Sequence, residues 1–143
     1  MDATAVTQKI TGLKERVGDI SQPLSEAGDE LLQYFGPEVF NAQGIAGEAW
    51  RDLAPTTQKA RERHWGYYVQ PSGEGPARRI LVWTGRLMAG FKKEVATMSL
   101  RIFNDVEYAK YHQYDYPTRR ILALTKDVLA TVRTKVRDYL IKV

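Results

Sequence analysis

The sequence predicts an α+β fold, with a small antiparallel β-sheet flanked by helices in the N-terminal and C-terminal parts of the chain. Apolar residues recur every three or four positions near both ends, which is the helical period, while polar–apolar alternation is concentrated around residues 91–104. The length of 143 residues fits one domain spanning 1–143. A composition that is 43% hydrophobic and 27% charged is typical of a folded globular protein.

The N-terminal third predicts a pair of helices over about residues 3–36. The apolar stripe of the first helix consists of Val6, Ile10, Leu13 and Val17, and that of the second consists of Leu24, Ala27, Leu31 and Phe35. Gly18-Asp19 separates the helices, and Gly36-Pro37 ends or bends the second one. Such short helices cannot bury their stripes alone. We therefore expect them to pack on a sheet of this chain or on a neighbouring subunit.

Two segments rich in glycine or proline are predicted to be loops, residues 41–50 and residues 70–77. Both are candidate mobile segments, because long loops in compact domains tend to be functional or disordered. Between them, a polar helix is predicted to begin at Pro55 and to run through His64.

The C-terminal half supplies the predicted sheet. A β-hairpin is predicted over about residues 91–104, then a short helix over 106–113 and a strand-like return over 119–124. The last predicted helix covers residues 126–141. Its apolar stripe consists of Leu129, Val132, Val136 and Leu140.

Composition excludes several kinds of chemistry. The chain has no cysteine, so it can form neither disulfides nor thiolate metal sites, and it has no cysteine nucleophile. No apolar run approaches the roughly 18–20 residues that span a bilayer, and the first residues lack the pattern of a signal peptide. We therefore expect cytoplasmic synthesis and no membrane partner. The net charge of +4 is compatible with contact to nucleic acid or with a solvated surface.

No pattern in the sequence indicates an enzyme. His112 and Asp115 have a spacing that an acid–base or metal pair could use, but no third ligand is indicated, so His112 is interpreted as a histidine hydrogen-bonded at a helix end. Thr84-Gly85-Arg86 lacks the spacing of a phosphate-binding loop, so Gly85 is interpreted as the glycine of a tight turn and Thr84 as a helix cap. We expect no catalytic residues, no cofactor and no metal.

Tyrosine is abundant, with eight residues in the chain, and four of them lie within residues 108–116 close to basic side chains. Tyrosine and arginine are enriched in protein interfaces, and they also stack on bases and contact phosphates. Three roles stay open for this cluster: packing in the core, a subunit interface, or contact with nucleic acid.

Several short motifs occur in a definite order. Trp50, Leu53 and Thr57 are similar to a W-x-x-L-x-x-x-T pattern, and residues 80–87 are similar to I-L-x-x-T-G-x-L. Residues 108–113 read Tyr-Ala-Lys-Tyr-His-Gln, similar to Y-A-x-x-H-Q, and residues 117–119 fit P-x-R. In this order the motifs resemble the Mu-like phage virion-morphogenesis family. The resemblance covers the chain from about Trp50 onward.

The resemblance implies a structural role. Members of this family complete the tail or join it to the head, at the neck or the top of the tail, as a ring of identical copies around the DNA passage. Implied partners are other copies in a sixfold or twelvefold ring, neighbouring neck, connector or tail-tube proteins, and packaged DNA through non-specific contact. The expected location is the virion, after assembly in the host cytoplasm.

The motif positions that we expect to hold the subunit's shape are Trp50, Leu53, Thr84, Gly85, Leu87, Tyr108, Ala109, His112, Gln113, Pro117 and Arg119. The candidates for contact with DNA or with another subunit are Arg78, Arg79, Lys110, Arg119 and Arg120.

The chain also departs from the family pattern. Residues 114–116 lead directly to Pro117 without the usual glycine-containing loop, and Arg120 stands where a second proline is common. The turn before Arg119 is therefore expected to be shorter and stiffer than usual. A small basic nucleic-acid-binding module is the alternative function, which would use the tyrosines, arginines and lysines directly.

Overall fold

A computed structural model of the chain describes residues 3–63, 80–81, 85–115 and 119–142. It is an α+β protein with two small antiparallel two-stranded sheets, as the sequence predicts. The chain divides into two compact units. Unit 1 comprises Met1–Leu32, Lys93–Ile102 and Leu124–Val143, and unit 2 comprises Gln33–Lys92 and Phe103–Ala123.

The described elements follow one another in the order α1 (Ala3–Gly18), α2 (Ser21–Gln33), a π-helical turn (Tyr34–Glu38), α3 (Val39–Ala42), β1 (Gly44–Ile45), β2 (Glu48–Ala49), α4 (Pro55–Arg63), α5 (Arg86–Ala89), β3 (Phe91–Ala96), β4 (Ser99–Asn104), a second π-helical turn (Tyr111–Asp115) and α6 (Lys126–Ile141). A helix that crosses a bilayer must be long and apolar. Among the residues that the structure describes, no helix meets both requirements.

In unit 1, α2 packs closely on the part of the β3–β4 hairpin that belongs to this unit. The contact centres on Gly28, where a Cβ would lie only 2.8 Å from Lys93 Cδ. Lys93 Nζ donates to the Ser25 carbonyl at 2.8 Å and pairs with Asp29 at 2.6 Å. At the hairpin turn, the Thr97 carbonyl accepts a hydrogen bond from the backbone N–H of Ile20. The predicted hairpin over 91–104 is confirmed, as is the burial of Leu24, Ala27 and Leu31 of the α2 stripe.

The bounds predicted for α6 are confirmed, and local chemistry explains them. Its first turn is capped by Thr125, whose Oγ1 accepts from the Val128 N–H at 3.2 Å. At its other end, Arg16 of α1 donates to the carbonyls of Tyr139 and Lys142, which have no partner within the helix. The predicted stripe differs in one place, because the buried residue of the first turns is Val128 rather than Leu129.

Unit 2 is built around an aromatic cluster. Phe40 packs edge-on against Trp50, with ring centroids 5.0 Å apart, and against Phe91 at 6.2 Å. Phe35 stacks on Phe91 at 6.1 Å. The helix that begins at α2 does not end at Gly36-Pro37 but continues through the π-helical turn into α3. A π-helical turn accommodates Pro37 because a proline has no N–H to place in the regular α-helical ladder.

Residues 41–50, for which the sequence predicts a mobile loop, form the end of α3 and the short β1–β2 hairpin. Ala46 and Gly47 have φ values of 55° and 78°, the backbone of a two-residue type I′ turn. The segment is anchored by the buried side chains of Ile45 and Trp50. The second candidate mobile segment, 70–77, lies outside the described residues.

Two predictions from the C-terminal half change in detail. Residues 119–124 form no strand. The short helix predicted over 106–113 begins only at Ala109, is α-helical over 109–110 and continues as the second π-helical turn from Tyr111. Ile80 and Leu81, the first two residues of the I-L-x-x-T-G-x-L motif, lie in a turn. The predicted helix from Pro55 is confirmed over Pro55–Arg63, and His64 lies outside the described residues.

Candidate functional site

The motif residues of the sequence converge in unit 2. A cavity of about 570 Å³ is lined by six of the eleven motif positions expected to hold the subunit's shape, although they come from segments far apart in the chain. These six are Leu53, Gly85, Leu87, Tyr108, His112 and Arg119. The motifs that occur in order along the sequence are therefore also neighbours in space.

Gly85 occupies this cavity wall in a conformation that favours glycine. Its φ is +78°, in the left-handed region, and it directly precedes α5. The interpretation of Gly85 as a turn glycine agrees with this geometry. Leu87, two residues later, and Leu53, before α4, are buried and supply the apolar part of the wall. Thr84, the expected cap, lies outside the described residues, as does Pro117.

Two further motif side chains, those of Trp50 and Gln113, hold the backbone of residues 120–122. Trp50 Nε1 donates to the Arg120 carbonyl at 2.7 Å. Gln113 Nε2 donates to the Leu122 carbonyl at 2.9 Å, and its Oε1 accepts from the Leu122 N–H at 3.0 Å. These bonds satisfy backbone groups that a neighbouring strand would otherwise pair, so their polar groups have partners although the segment belongs to no sheet.

Arg119 is held in place by backbone groups of the Trp50 motif. Its Nε donates to the Arg51 carbonyl at 2.9 Å, and its Nη2 donates to the Asp52 carbonyl at 2.7 Å. A guanidinium fork suits such paired carbonyl acceptors. The structure therefore gives Arg119, a candidate for DNA or subunit contact, a role within its own chain.

Replacement of Arg119 by alanine is expected to lower the free energy of unfolding by about 1–2 kcal/mol, because two charge-assisted hydrogen bonds are lost at a partly exposed site. Arg119→Lys, which keeps the charge but not the fork, should lose most of the same stability. Urea unfolding followed by circular dichroism measures both variants. Unchanged stability in Arg119→Ala would show that the two hydrogen bonds contribute nothing to folding.

The other basic candidates have different surroundings. Arg120 pairs with Glu48 at 3.5 Å on the surface, and Lys110 Nζ lies 5.3 Å from the centre of the Tyr111 ring. Tyr111 and Tyr114 are exposed, at 47% and 78%. Arg78 and Arg79 lie outside the described residues. The described cations therefore form surface contacts of the kind that contribute little to stability.

His112 is half-buried in the cavity wall, and its ring meets that of Tyr108 edge-on at 6.5 Å. Burial lowers the pKa of His112, and the positive charge of Arg119 lowers it further. The imidazole is consequently neutral at pH 7. Alanine at the preceding motif position, Ala109, is buried and lets this turn pack closely on the rest of unit 2.

The lowered pKa of His112 predicts a loss of stability in acid. An unfolded histidine binds its proton near pH 6.5, the ordinary value, whereas the folded one binds it at lower pH. As the pH falls below about 6.5, the unfolded state takes up the proton first and unfolding becomes more favourable. Thermal unfolding between pH 7.5 and pH 5 should therefore show a smaller drop in Tm for His112→Gln than for the wild type.

The same titration links His112 to Arg119. In Arg119→Ala the positive charge is gone, so the pKa of His112 should rise towards its ordinary value, as followed by NMR of the imidazole protons.

In the thermal-unfolding experiment, equal drops in Tm for the wild type and His112→Gln would contradict the assignment of the acid sensitivity to the His112 side chain.

Sequence reasoning missed a second glutamine that acts like Gln113. Gln43, whose φ is +54° at the end of α3, donates from Nε2 to the Phe40 and Ile80 carbonyls at 2.6 and 3.2 Å, and its Oε1 accepts from the Ile80 N–H. Asn104 similarly donates to the Leu87 carbonyl at 2.7 Å and accepts from the Val106 N–H. Neither residue belongs to a motif, and the only signal in the sequence is an amide side chain at the end of an element.

Within the part of the chain that the structure describes, no group of three or more histidine, aspartate or glutamate side chains is placed to hold a metal ion. In comparisons with known proteins, no family model, no curated protein and no solved structure matches this chain.

Proposed function

We propose that this chain is a non-enzymatic structural protein of a phage virion, at the neck or the top of the tail. In this role it completes the tail or joins it to the head as a ring of identical copies around the DNA passage. The observation that supports the proposal is the convergence of the motifs. Four stretches that resemble the virion-morphogenesis family in sequence contribute to one cavity wall in unit 2 and to one set of hydrogen bonds between side chains and backbone.

The hydrogen bonds from motif side chains to the backbone favour a structural role over a reactive one. The polar atoms of Trp50, Gln113 and Arg119 bond to backbone carbonyls and N–H groups, which fixes the path of residues 119–122. A subunit that repeats around a ring must present the same surfaces in every copy. Side chains that fix the backbone serve that requirement.

The alternative, a small basic nucleic-acid-binding module, receives less support from the described residues. Such a module places its cations so that they reach phosphates. Arg119 instead bonds to two carbonyls of its own chain, and Arg120 pairs with Glu48. A ring around DNA needs only sparse positive charge on its inner surface and no reading of bases, with which a net charge of +4 is compatible.

The mass of the purified chain in solution tests the proposal. Sedimentation velocity over a wide concentration range, with and without a short DNA duplex, should show assembly into one discrete oligomer that does not require DNA. A monomer that binds the duplex with a steep salt dependence would instead establish the nucleic-acid-binding module. A monomer at every concentration that also ignores DNA would contradict both functions for the isolated chain.

A further inference from the structure

The apolar stripe of α1 is left exposed within unit 1. Its four residues are Val6, Ile10, Leu13 and Val17, with exposed fractions of 43%, 51%, 42% and 48%. By contrast, the stripe residues of α2 within unit 1 are buried. A helix of 16 residues is marginal on its own in water, and apolar side chains left in solvent forgo the stabilisation that burial gives. The α1 stripe therefore has the character of a binding surface.

Two lysines border this stripe. At about 100° per residue, Lys9 and Lys14 lie about 70° to either side of the centre of the stripe, while Gln8, Thr11 and Glu15 occupy the opposite face. Anchors four, seven and eleven positions after Val6 are the spacing with which a helix binds in a groove. A matching surface should be apolar, should have room for branched side chains, and should carry negative charge at its border.

Unit 2 has a groove with these properties, of about 390 Å³. The side chains of Ala42, Ala46 and Ala49 are small and exposed, so they leave room for larger ones, and Ile45, which also lines the groove, is buried. The charged residues that line the groove are both glutamates, Glu38 and Glu48, and both are exposed.

The glutamates are available to a partner's lysines. Glu48 pairs with Arg120 at 3.5 Å, but 74% of its side chain is exposed, so this surface pair is weak and can exchange. Opposite charges across an interface favour the correct partner and register. The groove and α1 are thus complementary both in size of side chain and in charge.

We propose that α1 of one copy binds in the groove of a second copy, with Lys9 and Lys14 facing Glu38 and Glu48. Because the two surfaces differ, the contact is heterologous, and each copy can donate a helix and receive one. Such contacts close into a ring when the rotation between copies allows it. The contact that closes a ring joins two copies already held in the same assembly, where their effective concentration is high. A modest affinity per contact is therefore sufficient for a stable ring. The inference rests on the ring of the proposed function and names the surfaces that build it.

A charge exchange tests the contact. Lys9→Glu/Lys14→Glu gives a chain whose helix and groove are both acidic, and Glu38→Lys/Glu48→Lys gives one in which both are basic. Each variant alone should associate at least about tenfold more weakly than the wild type, because like charges then face each other. An equimolar mixture should associate again, in assemblies that alternate the two variants. Sedimentation velocity and native mass spectrometry of the folded chains give these results.

Matched controls separate position from net charge. Lys59→Glu/Lys126→Glu makes the same change of charge at exposed positions that belong neither to α1 nor to the groove lining, and it should associate like the wild type. Ile10→Gln removes an apolar anchor and should weaken association, whereas Thr11→Gln, on the opposite face of α1, should not. Circular dichroism confirms that each variant is folded.

Each result decides the inference. Association that is lost in each variant and restored only in their mixture supports the inference. If the restored assemblies are open chains, the contact stands and only the ring is contradicted. Rings that form equally well from all variants would overturn the helix-in-groove contact and leave the proposed function standing. A wild-type chain that stays monomeric, or that binds vesicles of phosphatidylserine through α1 instead of a second copy, would also overturn it.

Discussion

Replacement of Trp50 by alanine is expected to lower the free energy of unfolding by about 3–5 kcal/mol, the range typical of a buried aromatic residue. Trp50 is 5% exposed, packs edge-on against Phe40 at 5.0 Å, and donates from Nε1 to the Arg120 carbonyl at 2.7 Å. Alanine removes the ring from the aromatic cluster of unit 2 and leaves that carbonyl without its donor. Urea unfolding followed by far-UV circular dichroism measures the loss.

Trp50→Phe separates the two contributions. It keeps an aromatic ring against Phe40 but removes the hydrogen bond, so it should cost about 1–3 kcal/mol, mainly from the unsatisfied carbonyl. If Trp50→Phe is as damaging as Trp50→Ala, the hydrogen bond dominates. A loss below about 1 kcal/mol in Trp50→Ala would contradict the placement of this side chain in the core.

Replacement of Gln113 by leucine is expected to cost about 2–4 kcal/mol. The amide of Gln113 bonds to both the N–H and the carbonyl of Leu122, so leucine leaves two partly buried backbone groups unsatisfied. The Ile121 N–H, which lies 3.3 Å from Gln113 Oε1, loses its contact as well. The same urea experiment measures the effect.

Gln58→Leu is a matched control for this prediction. Gln58 makes one described hydrogen bond of this kind, from Nε2 to the Leu53 carbonyl at 3.0 Å, so its loss should cost about 1 kcal/mol. Equal losses in the two variants would show that Gln113 does not hold residues 121–122 more firmly than a single hydrogen bond does.

Periodicity predicts the positions of the regular elements of this chain well, because it depends on residues that are close in sequence. The α2 residues Leu24, Ala27 and Leu31 are buried as predicted, the β3–β4 hairpin forms over residues 91–104, and α6 begins after its cap at Thr125. Each depends on neighbours in sequence or on one continuous apolar face.

Segments that side chains hold at long range could not be predicted in the same way. Residues 119–124 have the apolar character of a strand, but Trp50 and Gln113 supply hydrogen bonds that a neighbouring strand would otherwise give. The β1–β2 hairpin was missed because Ala46, an unusual residue at positive φ, occupies its turn. Gln43 forms a hydrogen bond with Ile80, 37 residues away in the sequence, and no pattern of neighbouring residues predicts such a contact.

In the candidate site too, some features could be predicted from the sequence and others depend on contacts between distant residues. The order of the motifs led to residues that do meet in space, among them Leu53, Leu87 and His112. The role of Arg119 could not be predicted, because its acceptors are the backbone carbonyls of Arg51 and Asp52 and the identity of those two residues does not determine the contact. The exposure of α1 also required the structure, since its stripe has the same helical period as that of α2.

Electron microscopy of the purified wild-type chain, at concentrations where its mass shows assembly, tests the central claim most directly. The proposed function predicts closed rings of uniform copy number with a central passage wide enough for a DNA duplex, formed without DNA. Closed two-copy dimers, open filaments or unassembled monomers under all conditions would contradict a ring-forming protein of the phage neck.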